Sequence, residues 1–376
     1  MTDRIREFLR TRREDGPCVV VDLDVVRQNY QTFACALPDT RVFYAVKANP
    51  DAAILKALEE LGSSFDCAST GEIDMVLATG ATADRISFGN TIKKERDIER
   101  AYRVGVRLFA VDSYEEVEKI ARVAPRARVF CRILCDGAGA EWPLSRKFGC
   151  EPEMAADVLE HAHRLGLVAH GVSFHVGSQQ KNVNAWDTAL ASAAAIFRDC
   201  ALRGISLSMV NLGGGFPTRY LQDVPAAQSY GEAIFSSLRK HFGNAIPETI
   251  MEPGRGMVGN AGLIEAEVVL ISRKSEAEAL RWVFLDIGKF GGLAETMDEA
   301  IRYPFRTPRD GDDTAPCVLA GPTCDSADVL YEKTPVELPL SLSIGDKVII
   351  EACGAYTTTY SAVAFNGFPP LRSYVI

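Results

Sequence analysis

Lys47 ends the apolar run Val42-Phe43-Tyr44-Ala45-Val46-Lys47 and is followed by the breaker Asn49-Pro50. Strand alternation sets it on the face of Phe43 and Ala45. Desolvation at a barrel mouth disfavours its ammonium and leaves a neutral amine able to form a Schiff base; a lysine snorkelling from a strand end fits the same pattern. His175 closes Gly171-Val172-Ser173-Phe174-His175 just ahead of Gly177-Ser178. A flat imidazole there stacks on a planar cofactor, shuttles a proton, or is simply a satisfied structural histidine. In Asn211-Leu212-Gly213-Gly214-Gly215-Phe216-Pro217, three glycines let backbone N–H groups converge on a phosphate without Cβ interference. A tight turn is the plainer reading, and the dinucleotide fingerprint G-x-G-x-x-G is absent. Glu252-Pro253-Gly254-Arg255 offers a carboxylate to a heterocyclic nitrogen and donors to a phosphate, or is a turn with a surface ion pair. Farther on, Gly321-Pro322-Thr323-Cys324-Asp325 and Gly354-Ala355-Tyr356 are turn-like and chemically rich. Asp325 suits a cationic substrate end, against the alternative of a buried thiol beside a solvated turn aspartate. Asp66, Glu72 and Arg132 are strand-end or helix-start charges open to either reading, and no metal-ligating constellation competes.

These residues need elements to hold them. From residue 40 onward β-rich runs recur at 42–47, 64–67, 86–89, 107–111, 128–134, 170–175, 208–212 and 248–251, with helix-patterned stretches between most of them, among them 53–61, 71–77, 113–123, 152–165, 185–202 and 228–242. Eight such βα units spanning about 225 residues suit a closed (β/α)8, TIM-like barrel, and the polar candidates fall at the carboxyl ends of its strands, where barrel enzymes build their sites. An open doubly wound sheet is the competing arrangement. After Gly254 the texture becomes β-rich, with strands expected at 263–272, 282–288, 317–321, 347–351 and 362–365. The division expected is 1–30 as an N-terminal segment lending a strand near 17–22 to the β domain, 31–260 as the barrel, and 261–376 as a C-terminal β-sandwich or β-barrel domain.

Composition narrows the partners. The 376 residues are 47% hydrophobic and 24% charged, which is globular, and 41 Lys and Arg against 50 Asp and Glu give a net charge of −9 that repels a polyanion. No nucleic-acid partner is expected. The ten cysteines form no C-x-x-C pair and no Cys/His cluster, and so many thiols suit a reducing, cytoplasmic setting. The N-terminal residues lack an apolar h-region, and no stretch approaches the length that spans a bilayer, so neither secretion nor membrane insertion is expected.

Taken in order, the motifs are far more specific than singly. Tyr44-Ala45-Val46-Lys47-Ala48-Asn49, Asp66-Cys67-Ala68-Ser69, Leu144-Ser145-x-Lys147-Phe148-Gly149, His175-Val176-Gly177-Ser178, the triple glycine, Glu252-Pro253-Gly254-Arg255, Cys324-Asp325, Gly354-Ala355-Tyr356 and Phe365-Asn366-Gly367 form a series. From about residue 17 to Phe368 it resembles the fold type III, pyridoxal 5′-phosphate (PLP)-dependent ornithine/lysine decarboxylase group. The resemblance implies an alanine racemase-like barrel with a β domain, in a head-to-tail homodimer with shared sites. It implies that Lys47 bonds to the cofactor aldehyde, His175 stacks on its ring and Glu252 pairs with its ring nitrogen. Ser178, Gly213, Gly214, Gly215, Gly254, Arg255 and Tyr356 would hold the phosphate, with Asp66 and Arg132 beside the lysine. Cys324 and Asp325 would reach the partner's site, Cys324 to protonate the product carbon and Asp325 to bind the distal ammonium of a basic diamino acid. Asp298 is a second candidate for that amine. The implied reaction is decarboxylation of L-ornithine to putrescine and carbon dioxide, in polyamine biosynthesis, and of L-lysine to cadaverine. A diaminopimelate decarboxylase, disfavoured by Cys-Asp in place of Cys-Glu, an alanine racemase and a non-catalytic regulator are the alternatives.

Overall fold

The computed structural model describes residues 1–142 and 146–376; Leu144 and Ser145 of the motif series lie outside the described residues. The chain divides into two compact units, one of Arg27–Pro217 with Val224–Met257, the other of Met1–Val26, Thr218–Asp223 and Val258–Ile376.

The first unit is a closed barrel of eight parallel strands. They are β1 (Thr40–Ala45), β2 (Ser64–Cys67), β3 (Ile86–Phe88), β4 (Leu108–Val111), β5 (Arg128–Arg132), β6 (Val168–Ser173), β7 (Met209–Asn211) and β8 (Glu248–Met251). The strands are built from β-branched and aromatic residues and follow one another around the barrel, β8 closing on β1. Helices between them begin on side-chain caps: Asp51, Ser69 and Ser113 each accept a backbone N–H of the first turn. Phe43, Leu108, Ala110, Phe130, Met209 and Ile250 fill the interior as one apolar cluster. Asp66, Arg132 and Asn211 lie two residues beyond Ser64, Phe130 and Met209, so the period of two puts them on the same face, one layer nearer the carboxyl ends. Gly171 is required where β6 meets β7, because a Cβ there would lie 2.0 Å from the Met209 carbonyl oxygen.

Two placements differ from the sequence reading. β1 ends at Ala45, and Lys47 sits in a 3-10 turn, Val46–Ala48, so strand alternation does not orient it. β6 ends at Ser173, leaving His175 in the following loop.

The second unit carries an eight-stranded, mostly antiparallel sheet made from Cys18–Val21, Gly262–Ser272, Arg281–Leu285, Phe305–Arg306, Thr314–Ala320, Val329–Pro339, Lys347–Ile350 and Arg372–Val375. The strand expected at 362–365 is not formed: Ala364 has φ +56°, Val363 is 85% exposed, and the chain turns through Phe365–Gly367 instead. No helix among the described residues is long and apolar enough to cross a membrane.

Candidate active site

The carboxyl ends of the barrel strands gather one charged constellation. Asp66, on β2, is buried and accepts a 2.9 Å hydrogen bond from the Ser87 hydroxyl of the adjacent strand β3. Gly89 makes room for it, since a Cβ there would come within 1.9 Å of the Asp66 carboxylate. Burial pushes the Asp66 carboxyl up, while Lys47, the Ser87 bond and Arg132 pull it back. Glu252, just after β8, is pushed up to about 7 by burial and then by the charge of Asp66, against the Asn211 hydrogen bond, Lys47 and Arg132. Glu72 is raised by burial too, although its carboxylate accepts the Ala68 N–H at 2.6 Å. Three carboxylates therefore share this end of the barrel with the cations of Lys47 and Arg132. Arg132 lies against the face of Phe148, 5.3 Å from the ring centre, which orients a half-buried guanidinium. Lys47 itself is exposed, so the burial expected around it is not supplied by the barrel.

His175 is held down to about 3 by burial, with Arg132 and Lys47 adding repulsion, so its ring is neutral at physiological pH. Its Nδ1 accepts the Gly177 N–H at 2.9 Å, which leaves the proton on Nε2. A neutral ring fixed in this way can stack on a flat heterocycle without adding charge.

The glycine loop packs against two neighbours at backbone distance. A Cβ on Gly213 would lie 2.0 Å from the Phe174 carbonyl oxygen, one on Gly214 2.7 Å from that of Glu252, and one on Gly215 2.6 Å from that of Gly177. Gly213 and Gly215 also have φ of +66° and +104°, in the region that favours glycine. The Glu252 N–H donates to the Gly213 carbonyl at 2.8 Å, knitting the loop after β7 to the loop after β8. Ser178, after β6, and the buried Arg255, after β8, are joined by Arg255 Nε donating to Ser178 Oγ at 3.3 Å, and Gly254 directly precedes Arg255. A hydroxyl, a guanidinium and a loop that only glycine can form make a cradle for a phosphate.

Barrel residues Lys47, Asp66, Arg132, His175, Ser178, Gly213–Gly215, Glu252, Gly254 and Arg255 are thus brought together. Tyr356, Cys324, Asp325 and Asp298 belong to the other unit. There, Cys324 and Asp325 are both exposed on a loop fastened by Cys324 N–H donating to Asn366 Oδ1 at 2.8 Å. One Asp325 oxygen accepts the Ala327 N–H at 2.8 Å. Asp298 has φ +54°, is 87% exposed at its side chain, and lies 3.7 Å from Lys333; with Ser326 it borders one depression. Tyr356 is half-buried with φ +56°. Sequence reasoning missed Ser87, Gly89 and Asn211. Of these only Asn211 carried a signal, its place two residues before the triple glycine. Among the described residues, no group of His, Cys, Asp and Glu is arranged to hold a metal ion.

A parallel barrel with a lysine, paired carboxylates, a neutral imidazole and a glycine-arginine phosphate cradle at one end defines an enzyme built around a phosphorylated, nitrogen-heterocyclic cofactor. Residues 23–259 match the family of pyridoxal-dependent decarboxylases, in their pyridoxal binding domain. A lysine/ornithine decarboxylase of Selenomonas ruminantium is 36% identical over 362 residues, covering 95% of this chain and 88% of that protein. A structure of the lysine/ornithine decarboxylase of Vibrio vulnificus complexed with cadaverine superposes with a TM-score of 0.88 at 32% identity, over 99% and 97% of the two chains. The arginine decarboxylase of Paramecium bursaria Chlorella virus superposes with a TM-score of 0.91 at 28% identity over 100% of both. The chain belongs to the pyridoxal-dependent decarboxylase family. It is a PLP-dependent carboxy-lyase whose chemistry is decarboxylation of a basic amino acid.

Proposed function

We propose that the enzyme decarboxylates L-ornithine to putrescine, with L-lysine to cadaverine as a second reaction, in a cytoplasmic homodimer that shares its sites between subunits. The observation that carries the chemistry is the meeting of Lys47 with Asp66, Glu252, Arg132 and His175 beside the phosphate cradle. When bound, PLP supplies the electron sink that accepts the pair released as the α-carboxylate leaves. Lys47 presents its amine to the cofactor aldehyde, its charge balanced by Asp66. Ser178, Arg255 and the Gly213–Gly215 loop, through the N–H groups of Gly214 and Gly215, anchor the phosphate, His175 offers a flat uncharged face to the ring, and Glu252 holds the proton of the ring nitrogen.

Substrate choice follows from charge. An aspartate closed into a site is costly unless a cation meets it, so a distal ammonium is favoured and a neutral tail leaves the charge stranded. Asp325 is that residue in this proposal, with Asp298 as a second contact, and Cys324 delivers the proton to the product carbon. The names of the Selenomonas and Vibrio relatives support ornithine and lysine over other basic amino acids. Sharing between subunits is supported by what surrounds Cys324. Thr323, Phe365 and Phe368 line one cavity, and Val363 and Phe368 are exposed, an apolar surface that a second copy would cover. The ten free thiols support a reducing compartment.

Carbon dioxide release should be measured from ornithine, lysine, arginine and meso-diaminopimelate. Ornithine is expected to be fastest, and Asp325→Asn is expected to lower kcat/KM for the diamino acids about 100-fold, mostly through KM, as when one partner of a buried ion pair is removed. Preference for diaminopimelate, or an unchanged Asp325→Asn, overturns the substrate assignment. Sharing is tested by mixing two inactive variants, Lys47→Ala and Cys324→Ala. Random pairing gives half the dimers one native site each, and so about a quarter of the wild-type rate. If the mixture stays inactive after subunit exchange is verified, Cys324 does not act across the interface.

A further inference from the structure

Asn211 is the last residue of β7 and is fully buried. Its Oδ1 accepts the Gly213 N–H at 2.9 Å, and its Nδ2 donates to Glu252 Oε1, 41 residues away in sequence. The orientation of this amide is dictated by chemistry. A backbone N–H can only donate, so the amide oxygen must face Gly213, and the NH2 group is left to face the carboxylate. Neither contact is available to a side chain that lacks both a donor and an acceptor.

We propose that Asn211 is a positioning residue that sets the Glu252 carboxylate and the glycine loop in a single register, so that the cofactor's ring nitrogen and phosphate are received by groups locked to each other. The inference deepens the reading of Glu252 as the partner of the ring nitrogen. The backbone bond from Glu252 N–H to the Gly213 carbonyl fixes the two loops, but it leaves the glutamate side chain free to rotate; the Asn211 amide removes that freedom. With Oε1 held, the plane of the carboxylate is defined and its second oxygen remains to meet a protonated ring nitrogen. Burying the amide is also costly unless both its ends are paired, so Asn211 has a reason to keep both contacts. Glu252 is faced by Asp66 from β2, Lys47 from the turn after β1 and Arg132 from β5, while His175 packs against Gly214. Among these the asparagine supplies the neutral hydrogen bond that favours the ionised carboxylate.

Two variants separate the two ends of the amide. Asn211→Ala removes both contacts. Asn211→Asp keeps an acceptor for Gly213 but sets a second carboxylate against Glu252. The first readout is the titration of Glu252 in the cofactor-free protein, followed by NMR of 13C-labelled glutamate and assigned by the signal missing in Glu252→Gln. Asn211→Ala is expected to raise the midpoint by about one pH unit, a tenfold change in proton affinity, and Asn211→Asp to raise it further. The second readout is PLP dissociation, expected to weaken at least tenfold in Asn211→Ala and less than threefold in Asn211→Asp, whose glycine loop stays tied. In the loaded enzyme kcat should fall with KM unchanged for Asn211→Ala. An unmoved Glu252 midpoint in both variants, or equal PLP affinity in Asn211→Ala and wild type, overturns the proposal even if thermal stability drops, since a purely structural asparagine would change only that. Should the midpoint move while Glu252→Gln retains full turnover, the positioning stands and the role of Glu252 at the ring nitrogen falls.

Discussion

Replacing Lys47 by alanine is expected to yield a folded protein that releases no measurable carbon dioxide from ornithine, a loss of about 1,000-fold or more. The prediction is sharp because the two consequences of the substitution separate. Lys47 is exposed in a short turn whose flanking residues, Val46 and Ala48, are the buried ones. Shortening the side chain opens no core cavity, but it removes a cation that offsets the buried Asp66 and Glu252, so the stability loss should be about 1 kcal/mol, the size of an ordinary single substitution. The chemical loss is of another order, since the amine that bonds to the cofactor aldehyde is itself removed. Turnover at saturating PLP and the thermal midpoint should be measured on the same preparation. The absorbance of lysine-bound cofactor should vanish, while PLP is still retained weakly through Ser178, Arg255 and the glycine loop. A variant with more than a tenth of wild-type turnover would remove Lys47 from the mechanism.

How much of this arrangement is legible in the sequence depends on the range of the interaction. The barrel strands are readable because runs such as Val42–Ala45 and Val129–Cys131 are β-branched, aromatic or small and apolar. The ends of β1 and β6 are not, because Val46, Phe174 and Val176 are buried after their strands have stopped, and an apolar residue in a turn looks like one more strand residue. Lys47 and His175 are consequently found as residues but misplaced by a turn. At 362–365, the reverse holds: Val363 and Phe365 have strand-like side chains but no strand to pair with. The strand Val329–Pro339 escapes notice because Glu332, Lys333 and Thr334 in its middle are all exposed in succession, which breaks the alternation that marks a half-buried strand. Ser87, Gly89 and Asn211 are hidden for a different reason. Each matters through a partner 21 to 41 residues away, and no local pattern carries that pairing. The resemblance of ordered motifs succeeds where local physics stops because it compares the whole set of distant positions at once.

Glu252→Gln is expected to lower kcat about 100-fold, with a pH signature that identifies the cause. A glutamine keeps the shape and can still accept a hydrogen bond from Asn211, but it cannot neutralise a proton held on the cofactor's ring nitrogen, and electrostatic partners of this kind are worth about 100-fold or more. In the cofactor-free protein the same substitution should stabilise. The Glu252 carboxyl is raised from 4.5 to about 7 by burial and by Asp66, so the folded chain holds that proton more tightly than the unfolded chain does. Its contribution to stability is present below about pH 4.5 and is lost as pH rises through about 7. Asp66 is shifted in the same direction and adds to the slope. Thermal midpoints of wild-type and Glu252→Gln apoproteins should therefore coincide near pH 4 and diverge in favour of the variant near pH 8. Adding PLP reverses the order, because in the wild type the ionised carboxylate then gains a cationic partner that the amide cannot use. If the variant showed no stability advantage at pH 8 without cofactor, the carboxylate would not be paying for its burial. If the order did not reverse with PLP, Glu252 would not face the ring nitrogen.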